Sequence, residues 1–238
     1  MAEGPQTMEP LEGFSYVVDG AVSPAGSVTD DGAHSDGAGA PDAGGDNTTP
    51  PLFLLHGTGG DEYDLLELGR YVAPGSFLVS ARGRAPEGGM NRWFARHAEG
   101  VLDVADIIRR SAELATFLPA MQERHGISGR PLWALGFSNG ANMAAAMLLR
   151  YPEIFAGAIL MRPMLPLTPT TAPDLSEKPI LVMAGTEDTM IPGDSTRELI
   201  ALLGESGADL SVNWAQAGHR FGMDEVTLAR KWFAERAG

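Results

Sequence analysis

From residue 51 onward, apolar runs of strand length alternate with stretches of helical periodicity. The apolar runs occupy residues 51–56, 76–81, 131–137, 155–161, 179–185 and 210–216. The helical patterns occupy residues 64–72, 103–124, 139–150, 195–206 and 224–236. Continuous apolar strands separated by helices are typical of a mostly parallel sheet that is buried on both faces. We therefore expect an α/β fold with a mostly parallel, twisted central sheet, helices on both faces, and ligands at the carboxyl ends of the strands.

The chain before this alternation divides into two parts. Residues 1–18 predict an N-terminal strand region, in which residues 14–18 form a strand. Residues 19–50 contain many Gly and Asp but no Lys, Arg or aromatic residue. Such a segment cannot bury enough apolar surface to offset the entropy of ordering it. We therefore expect a disordered, acidic, Gly-rich insertion at 19–50, followed by the main domain at 51–238.

Charge and composition exclude several classes of function. The formal net charge is -14, which disfavours attraction to nucleic acid or to an anionic membrane surface. The chain has no cysteine, so disulfides, iron–sulfur clusters and thiolate zinc sites are excluded. The N-terminus shows no basic segment followed by an apolar one, and no run approaches the ~18 apolar residues of a membrane span. We expect a cytoplasmic protein without membrane insertion.

A G-x-S-x-G motif, formed by Gly136, Ser138 and Gly140, lies between a predicted strand and a predicted helix. The two glycines leave room for a tight turn that lifts the serine hydroxyl above the sheet. The N-terminus of the following helix favours negative charge that develops beside it. We expect Ser138 to be a nucleophile, and the alternative is that it only caps the helix.

A serine nucleophile needs a base, and the base needs an acid that orients it. Asp188 follows the predicted strand at 179–185, and His219 follows the one at 210–216. This is the order Ser, Asp, His, with each residue at the carboxyl end of a strand. We expect Asp188 as the acid and His219 as the base. Glu187 and Asp194 are alternatives for the acid.

The stretch HGTGG, residues 56–60, follows the first strand of the main domain. It does not fit the G-x-G-x-x-G pattern of a dinucleotide site. A tetrahedral intermediate needs amide donors for its oxyanion, and the amides of Thr58 and Asn139 are suitably placed in the sequence. Gly57 would lie against the substrate, and His56 would be a structural residue at the strand end.

The remaining histidines carry no recognisable site. We expect His34, His97 and His125 to be solvated. The H-E-x-x-H motif is absent, and a cluster of His97, Glu99 and Asp103 has no known ligand spacing. The sequence therefore predicts no metal and no cofactor.

These motifs resemble those of the α/β-hydrolase superfamily. Within it, the chain is similar to the carboxylesterase/phospholipase family, which includes acyl-protein thioesterases, and to dienelactone hydrolase-like esterases. The resemblance covers about residues 50–236 and rests on LLHGTGGDEYDL, GGMNRWF, LGFSNGANMA, GTEDTMIP and GH. It implies a Ser138, Asp188 and His219 triad, with Thr58 and Asn139 framing the oxyanion hole.

The resemblance also suggests the surroundings of the site. Trp93 and Phe94 would be walls of the substrate pocket, and core packing is the alternative. The segment 162–178 is proline-rich and too short for a helical cap domain, so the site should be open. Arg162 would meet an anionic group of the substrate, or it would pair with a nearby carboxylate.

The sequence thus predicts a serine carboxylesterase that hydrolyses small soluble carboxylic esters through an acyl-enzyme intermediate. One alternative is an acyl thioesterase or lysophospholipase with the same triad. Another is a binding protein that keeps the fold without turnover. The expected partner is a small-molecule ester, and a homodimer is a further expectation.

Overall fold

The computed structural model describes residues 4–20 and 49–237. Within these residues the strands are β1 (Gln6–Leu11), β2 (Phe14–Asp19), β3 (Leu52–Leu55), β4 (Leu78–Ala81), β5 (Ala85–Glu87), β6 (Met90–Arg92), β7 (Arg96–Ala98), β8 (Val101–Leu102), β9 (Trp133–Phe137), β10 (Gly157–Met161), β11 (Pro179–Gly185) and β12 (Asp209–Ala215). The helices are α1 (Leu66–Val72), α2 (Val104–Arg124), α3 (Asn139–Arg150), α4 (Gly193–Glu205) and α5 (Met223–Arg236).

In the described residues, eight strands form one sheet in the order β1-β2-β4-β3-β9-β10-β11-β12. The pairs β1–β2 and β2–β4 are antiparallel, and the other neighbours in this sheet are parallel. The predicted mostly parallel sheet is therefore confirmed. Its parallel strands all end at one edge, where the loops after β3, β9, β11 and β12 meet.

Alternation along the strands assigns the apolar side chains to two cores. In β3, Phe53 and Leu55 belong to the core with α2, α3 and α4. Leu52 and Leu54 belong to the core with α1 and α5 on the opposite face. Successive side chains of a strand point to opposite faces, so a run of four apolar residues is buried on both sides. Helices therefore cover both faces of the sheet, as predicted.

Three strand pairs differ from the expectation. β1 pairs with β2 but was not predicted, because its sequence QTMEPL is polar and contains Pro10. The small hairpins β5–β6 and β7–β8 lie between residues 81 and 103, where no strand was predicted. Their strands have only two or three residues, which is too short for a periodic pattern.

The predicted insertion at 19–50 lies mainly outside the described residues. Its first residue, Asp19, ends β2, and its carboxylate Oδ2 accepts a hydrogen bond from Arg70 Nε at 2.6 Å. The strand therefore extends one residue into the segment that was predicted to be disordered.

Residues 162–178 contain no helix, which agrees with the absence of a cap. Among the described helices, none is both long and apolar enough to cross a bilayer.

Helix α3 packs unusually close to the sheet at the two glycines of the G-x-S-x-G motif. A Cβ atom at Gly136 would lie 2.7 Å from the Cα of Ala141. A Cβ at Gly140 would overlap the carbonyl oxygen of Leu55 at the end of β3. Because both obstacles are backbone, no side-chain rotation relieves them. These glycines therefore set the distance between α3 and the strands.

This contact predicts that Gly140→Ala destabilises the protein. The added methyl group forces α3 away from β3, which we expect to lower the free energy of unfolding by about 1–3 kcal/mol. Chemical denaturation monitored by circular dichroism measures the loss. Gly204→Ala in α4 is the matched control, because a Cβ there meets nothing within 4 Å. Wild-type stability in Gly140→Ala would contradict the close-packing argument.

Candidate active site

Ser138 forms the turn between β9 and α3, with φ 52° and ψ −114°. A positive φ is rare for a residue with a side chain, and it costs about 1–3 kcal/mol unless the surroundings hold it. The surroundings here do so: the Ser138 amide donates to Met161 O at 2.8 Å, and its carbonyl accepts from the Asn142 amide at 3.0 Å. The strained turn directs the hydroxyl to the carboxyl edge of the sheet.

Asp188 and His219 meet Ser138 at this edge. His219 Nε2 lies 3.0 Å from Ser138 Oγ, and His219 Nδ1 lies 2.8 Å from Asp188 Oδ2. An ionised carboxylate only accepts hydrogen bonds, so Nδ1 carries the ring proton. Nε2 is then the acceptor for the serine hydroxyl. This arrangement can remove the proton from Ser138 when the oxygen attacks.

The Asp188 carboxylate is held from its other side. Its Oδ1 accepts from the amides of Met190 and Ile191 at 2.8 and 3.1 Å. The side chain is 2% exposed, so the carboxylate interacts mainly with these amides and with His219. Of the alternatives, Glu187 is exposed and Asp194 pairs with Arg197 at 2.9 Å. The geometry therefore favours Asp188 as the orienting acid.

Thr58 and Asn139 both line a cleft with Ser138. Asn139 is the first residue of α3, so its amide has no partner within the helix. The Thr58 loop is held by β6: Gly59 N donates to Asn91 O at 2.9 Å, and Arg92 Nη1 donates to Thr58 Oγ1 at 2.8 Å. These contacts orient the segment that carries the expected second oxyanion amide.

The cleft in front of Ser138 is shallow and open to solvent. Its walls combine charged, polar and apolar side chains. They are formed by Thr58, Arg92, Arg96, Glu99, Gly100, Leu102, Ser138, Asn139, Asn142, Met164, Met190 and Ile191.

Trp93 and Phe94 were predicted to be pocket walls, but the structure buries both in the core, at 2% and 0% exposure. Trp93 instead connects the two parts of the expected oxyanion hole. Its indole Nε1 donates to His56 O at 3.0 Å, and its amide donates to Asn139 Oδ1 at 2.7 Å. Core packing, the alternative that the sequence left open, is what the structure shows for both residues, and the buried indole finds a hydrogen-bond partner here.

Arg162 was predicted to meet an anionic substrate group, but its side chain is fully buried behind His219. Its guanidinium pairs with Glu225, with Nη1 2.7 Å from Oε1 and Nη2 2.9 Å from Oε2. The alternative, pairing with a nearby carboxylate, is the one that the structure shows. Gly57, expected to touch substrate, packs against the ring of Phe137.

The other histidines contact different groups. His56 is buried, its Nδ1 donates to Gly57 O at 2.6 Å, and its Nε2 accepts from Gly83 N at 2.9 Å. Burial lowers the pKa of His56, so the ring is neutral and structural, as predicted. His97 is exposed, as expected.

His125 was predicted to be solvated, but it is half-buried. Its Nε2 lies 3.0 Å from Tyr16 Oη, and burial lowers the pKa of His125. The fourth expectation, for His34, falls outside the described residues. In residues 4–20 and 49–237, no three His, Asp or Glu side chains converge on a point where they could hold a metal ion.

Sequence reasoning missed the cations that do face the cleft, Arg92 and Arg96. Both pair with Glu87, at 3.1 and 2.9 Å. The motif GGMNRWF was recognised in this segment, but the two hairpins were not predicted, so the direction of these side chains was not predictable. Asn142 was also missed, although it lies four residues after Ser138 and therefore one turn along the same helix face.

Comparison with known proteins places this geometry in a family. The model of the dienelactone hydrolase family matches residues 91–237. The chain is 41% identical over 184 residues to "Putative hydrolase MhqD" of Bacillus subtilis (strain 168), covering 77% of this chain and 92% of that one.

Two solved structures have the same fold. A Bacillus cereus carboxylesterase is 33% identical, with a TM-score of 0.81 and 94% of each chain covered. YahD, solved with malic acid, is 27% identical, with a TM-score of 0.80 and 94% and 99% covered. These matches confirm the α/β-hydrolase fold that the sequence motifs predict. The chain belongs to the dienelactone hydrolase family and is an ester-hydrolysing enzyme.

Proposed function

We propose that the chain is a serine carboxylesterase that hydrolyses small carboxylic esters through an acyl-enzyme formed on Ser138. The observation that carries this proposal is the hydrogen-bonded series from Ser138 Oγ through His219 to Asp188, at 3.0 and 2.8 Å. The series opens into the cleft, so an ester carbonyl can approach the serine oxygen. Asp188 and His219 are the proposed acid and base.

Acylation begins when Ser138 Oγ attacks the ester carbonyl carbon. His219 Nε2 takes the hydroxyl proton, and the Asp188 carboxylate stabilises the imidazolium that forms. The carbonyl oxygen becomes an oxyanion, for which the amides of Thr58 and Asn139 are the proposed donors. When the tetrahedral intermediate collapses, the ester C–O bond breaks and His219 gives its proton to the departing alcohol.

Deacylation repeats these steps with water. His219 Nε2 removes a proton from the water, whose oxygen attacks the acyl carbon. The second tetrahedral intermediate breaks the bond to Ser138 Oγ, and the serine oxygen regains a proton from His219. The products are a carboxylic acid and the free enzyme, and no cofactor takes part.

The preference for small substrates follows from the cleft. The segment 162–178 contains no helix and so forms no cap over the site. On the apolar side, Met164, Met190 and Ile191 line the cleft, and Met190 is 46% exposed. A shallow cleft that is open to water fits a short acyl chain better than a long one.

Ser138→Ala should lower kcat on p-nitrophenyl acetate and butyrate by several orders of magnitude, because it removes the nucleophile. A loss of about 10⁶-fold is known for a serine protease. Steady-state release of p-nitrophenolate measures it, with p-nitrophenyl octanoate as the long-chain comparison. We also expect the rate to show an acid limb, because protonation of His219 removes the base.

Two results would contradict the proposal. Equal turnover in Ser138→Ala would mean that another group is the nucleophile. A rate that stays flat down to pH 4.5 would mean that the base is not histidine. Higher turnover of the octanoate than of the acetate and butyrate would contradict the size argument alone.

A carboxylate-bearing ester is a second, narrower candidate substrate, because Arg92 and Arg96 line the cleft. Burial lowers the pKa of the Arg92 guanidinium, which reflects the cost of keeping this cation from water. It remains charged at neutral pH, and because Arg92 and Arg96 share the Glu87 carboxylate, an anionic substrate group would offset the cost that remains. The malic acid in the YahD structure, a dicarboxylic acid, supports this choice.

Arg96→Gln should therefore discriminate between charged and neutral esters. We expect kcat/KM for mono-p-nitrophenyl succinate to fall about tenfold, which corresponds to the loss of one hydrogen bond to a charged group. The value for p-nitrophenyl butyrate should change little. Arg109→Gln, an exposed position on α2, removes the same charge elsewhere and is the control. Equal losses on both esters would contradict the assignment.

A further inference from the structure

We propose that Arg162, held by Glu225, is a positioning residue that fixes the backbone on both sides of His219. This inference rests on the proposed function, in which His219 is the base. Arg162 follows β10, at a distance in sequence from the loop that carries the histidine. Its guanidinium nevertheless reaches that loop and contacts it on either side of the imidazole.

The Arg162 guanidinium forms hydrogen bonds to the residues on either side of His219. Arg162 Nε donates to Gly218 O at 2.9 Å, and Arg162 Nη2 donates to Arg220 O at 2.9 Å. A planar guanidinium holds its donors in a rigid fork, so two carbonyls bound to it have a defined separation. The backbone of His219 lies between those carbonyls. The guanidinium therefore fixes the position of the His219 backbone, from which the imidazole side chain extends.

The guanidinium is itself fixed from two directions. Glu225 in α5 accepts through both carboxylate oxygens, at 2.7 and 2.9 Å. The Arg162 amide donates to Met183 O in β11 at 2.7 Å, which anchors its backbone. Arg162 has φ 56°, a strained conformation for a residue with a side chain. The contacts with Glu225 and Met183 hold this strained backbone in place, which is consistent with a role of Arg162 in positioning the His219 loop.

Glu225 extends this connection to the start of α5. Its Oε2 also accepts from the Gly222 amide at 3.2 Å. The loop from Gly218 to Gly222 is therefore bound at three backbone groups by one ion pair. A buried pair that loses one partner leaves an uncompensated charge, so neither side chain is free to rotate away.

The ion pair of Arg162 and Glu225 also affects the balance of charge around His219. Asp188 contacts the imidazole directly from the loop after β11. Arg162 and Glu225 approach from β10 and α5 and cancel each other, while Glu187 and Arg220 are exposed. The Asp188 carboxylate thus dominates the field at the ring. Removing only the negative charge of Glu225 would leave a buried cation that disfavours the imidazolium.

Two substitutions separate the geometric role from the charge. Arg162→Lys keeps the charge but replaces the fork by one ammonium, which cannot reproduce the fixed separation. Glu225→Gln keeps the shape but removes the negative charge. Asp19→Asn, which breaks the Arg70–Asp19 pair between β2 and α1, is the control for loss of an ion pair far from His219.

We would measure kcat, KM, the pH profile of kcat/KM and the melting temperature, with p-nitrophenyl butyrate as substrate. In Arg162→Lys we expect kcat to fall by about 100-fold with KM unchanged, as for a catalytic group displaced by about 1 Å. In Glu225→Gln we expect the acid limb to move to lower pH, because more acid is needed to protonate His219 beside an unpaired cation. Asp19→Asn should lower the melting temperature without either effect.

A folded Arg162→Lys with wild-type kcat would overturn the proposal, as would an unmoved acid limb in Glu225→Gln. A matching loss of kcat in Asp19→Asn would also overturn it, since the effect would then be general destabilisation. Should Arg162→Lys fail to fold, the isosteric Glu225→Gln decides alone. Ser138→Ala tests the proposed function separately: if it matches the wild type, the esterase mechanism fails, whatever the other variants do.

Discussion

The close contact between α3 and the ends of β3 and β9 is the constraint on which the site depends. Because Gly136 and Gly140 carry no side chain, α3 approaches the Leu55 carbonyl closely enough to force a strained turn at Ser138. That turn directs the serine hydroxyl to the edge where β11 and β12 also end. Asp188 and His219 follow those two strands, so parallel topology delivers all three side chains to one place.

The sequence predicts this part well because each signal is local. Ser138, Asp188 and His219 each follow an apolar strand, and parallel strands end at a common edge. The role of Trp93 could not be predicted in this way. Its partners, His56 and Asn139, lie 37 and 46 residues away, and only the folded chain shows that it connects them. The hairpins that direct Arg92 and Arg96 have strands too short for a periodic signal.

The two residues that orient the proposed nucleophile are supported in different ways. Asp188 is held by backbone amides of its own loop, which is an interaction within one turn of chain. His219 sits on the loop between β12 and α5, and its neighbours are held by Arg162, from another strand. A site built for electrostatic stabilisation needs both supports, because donors and bases must be in place before the reaction begins. The ion pair of Arg162 with Glu225 supports the loop that carries His219, which has no such support from its own amides.

Covalent labelling with diisopropyl fluorophosphate tests the central claim most directly, because the reagent reacts with activated serines and the adduct is stable. After labelling, peptide mass spectrometry should find a single modified residue, Ser138. The Ser138→Ala protein should remain unlabelled, and His219→Ala should label far more slowly, because the base that activates the serine is missing. Labelling of another residue, or an unchanged rate in His219→Ala, would contradict a nucleophile that is activated by this histidine.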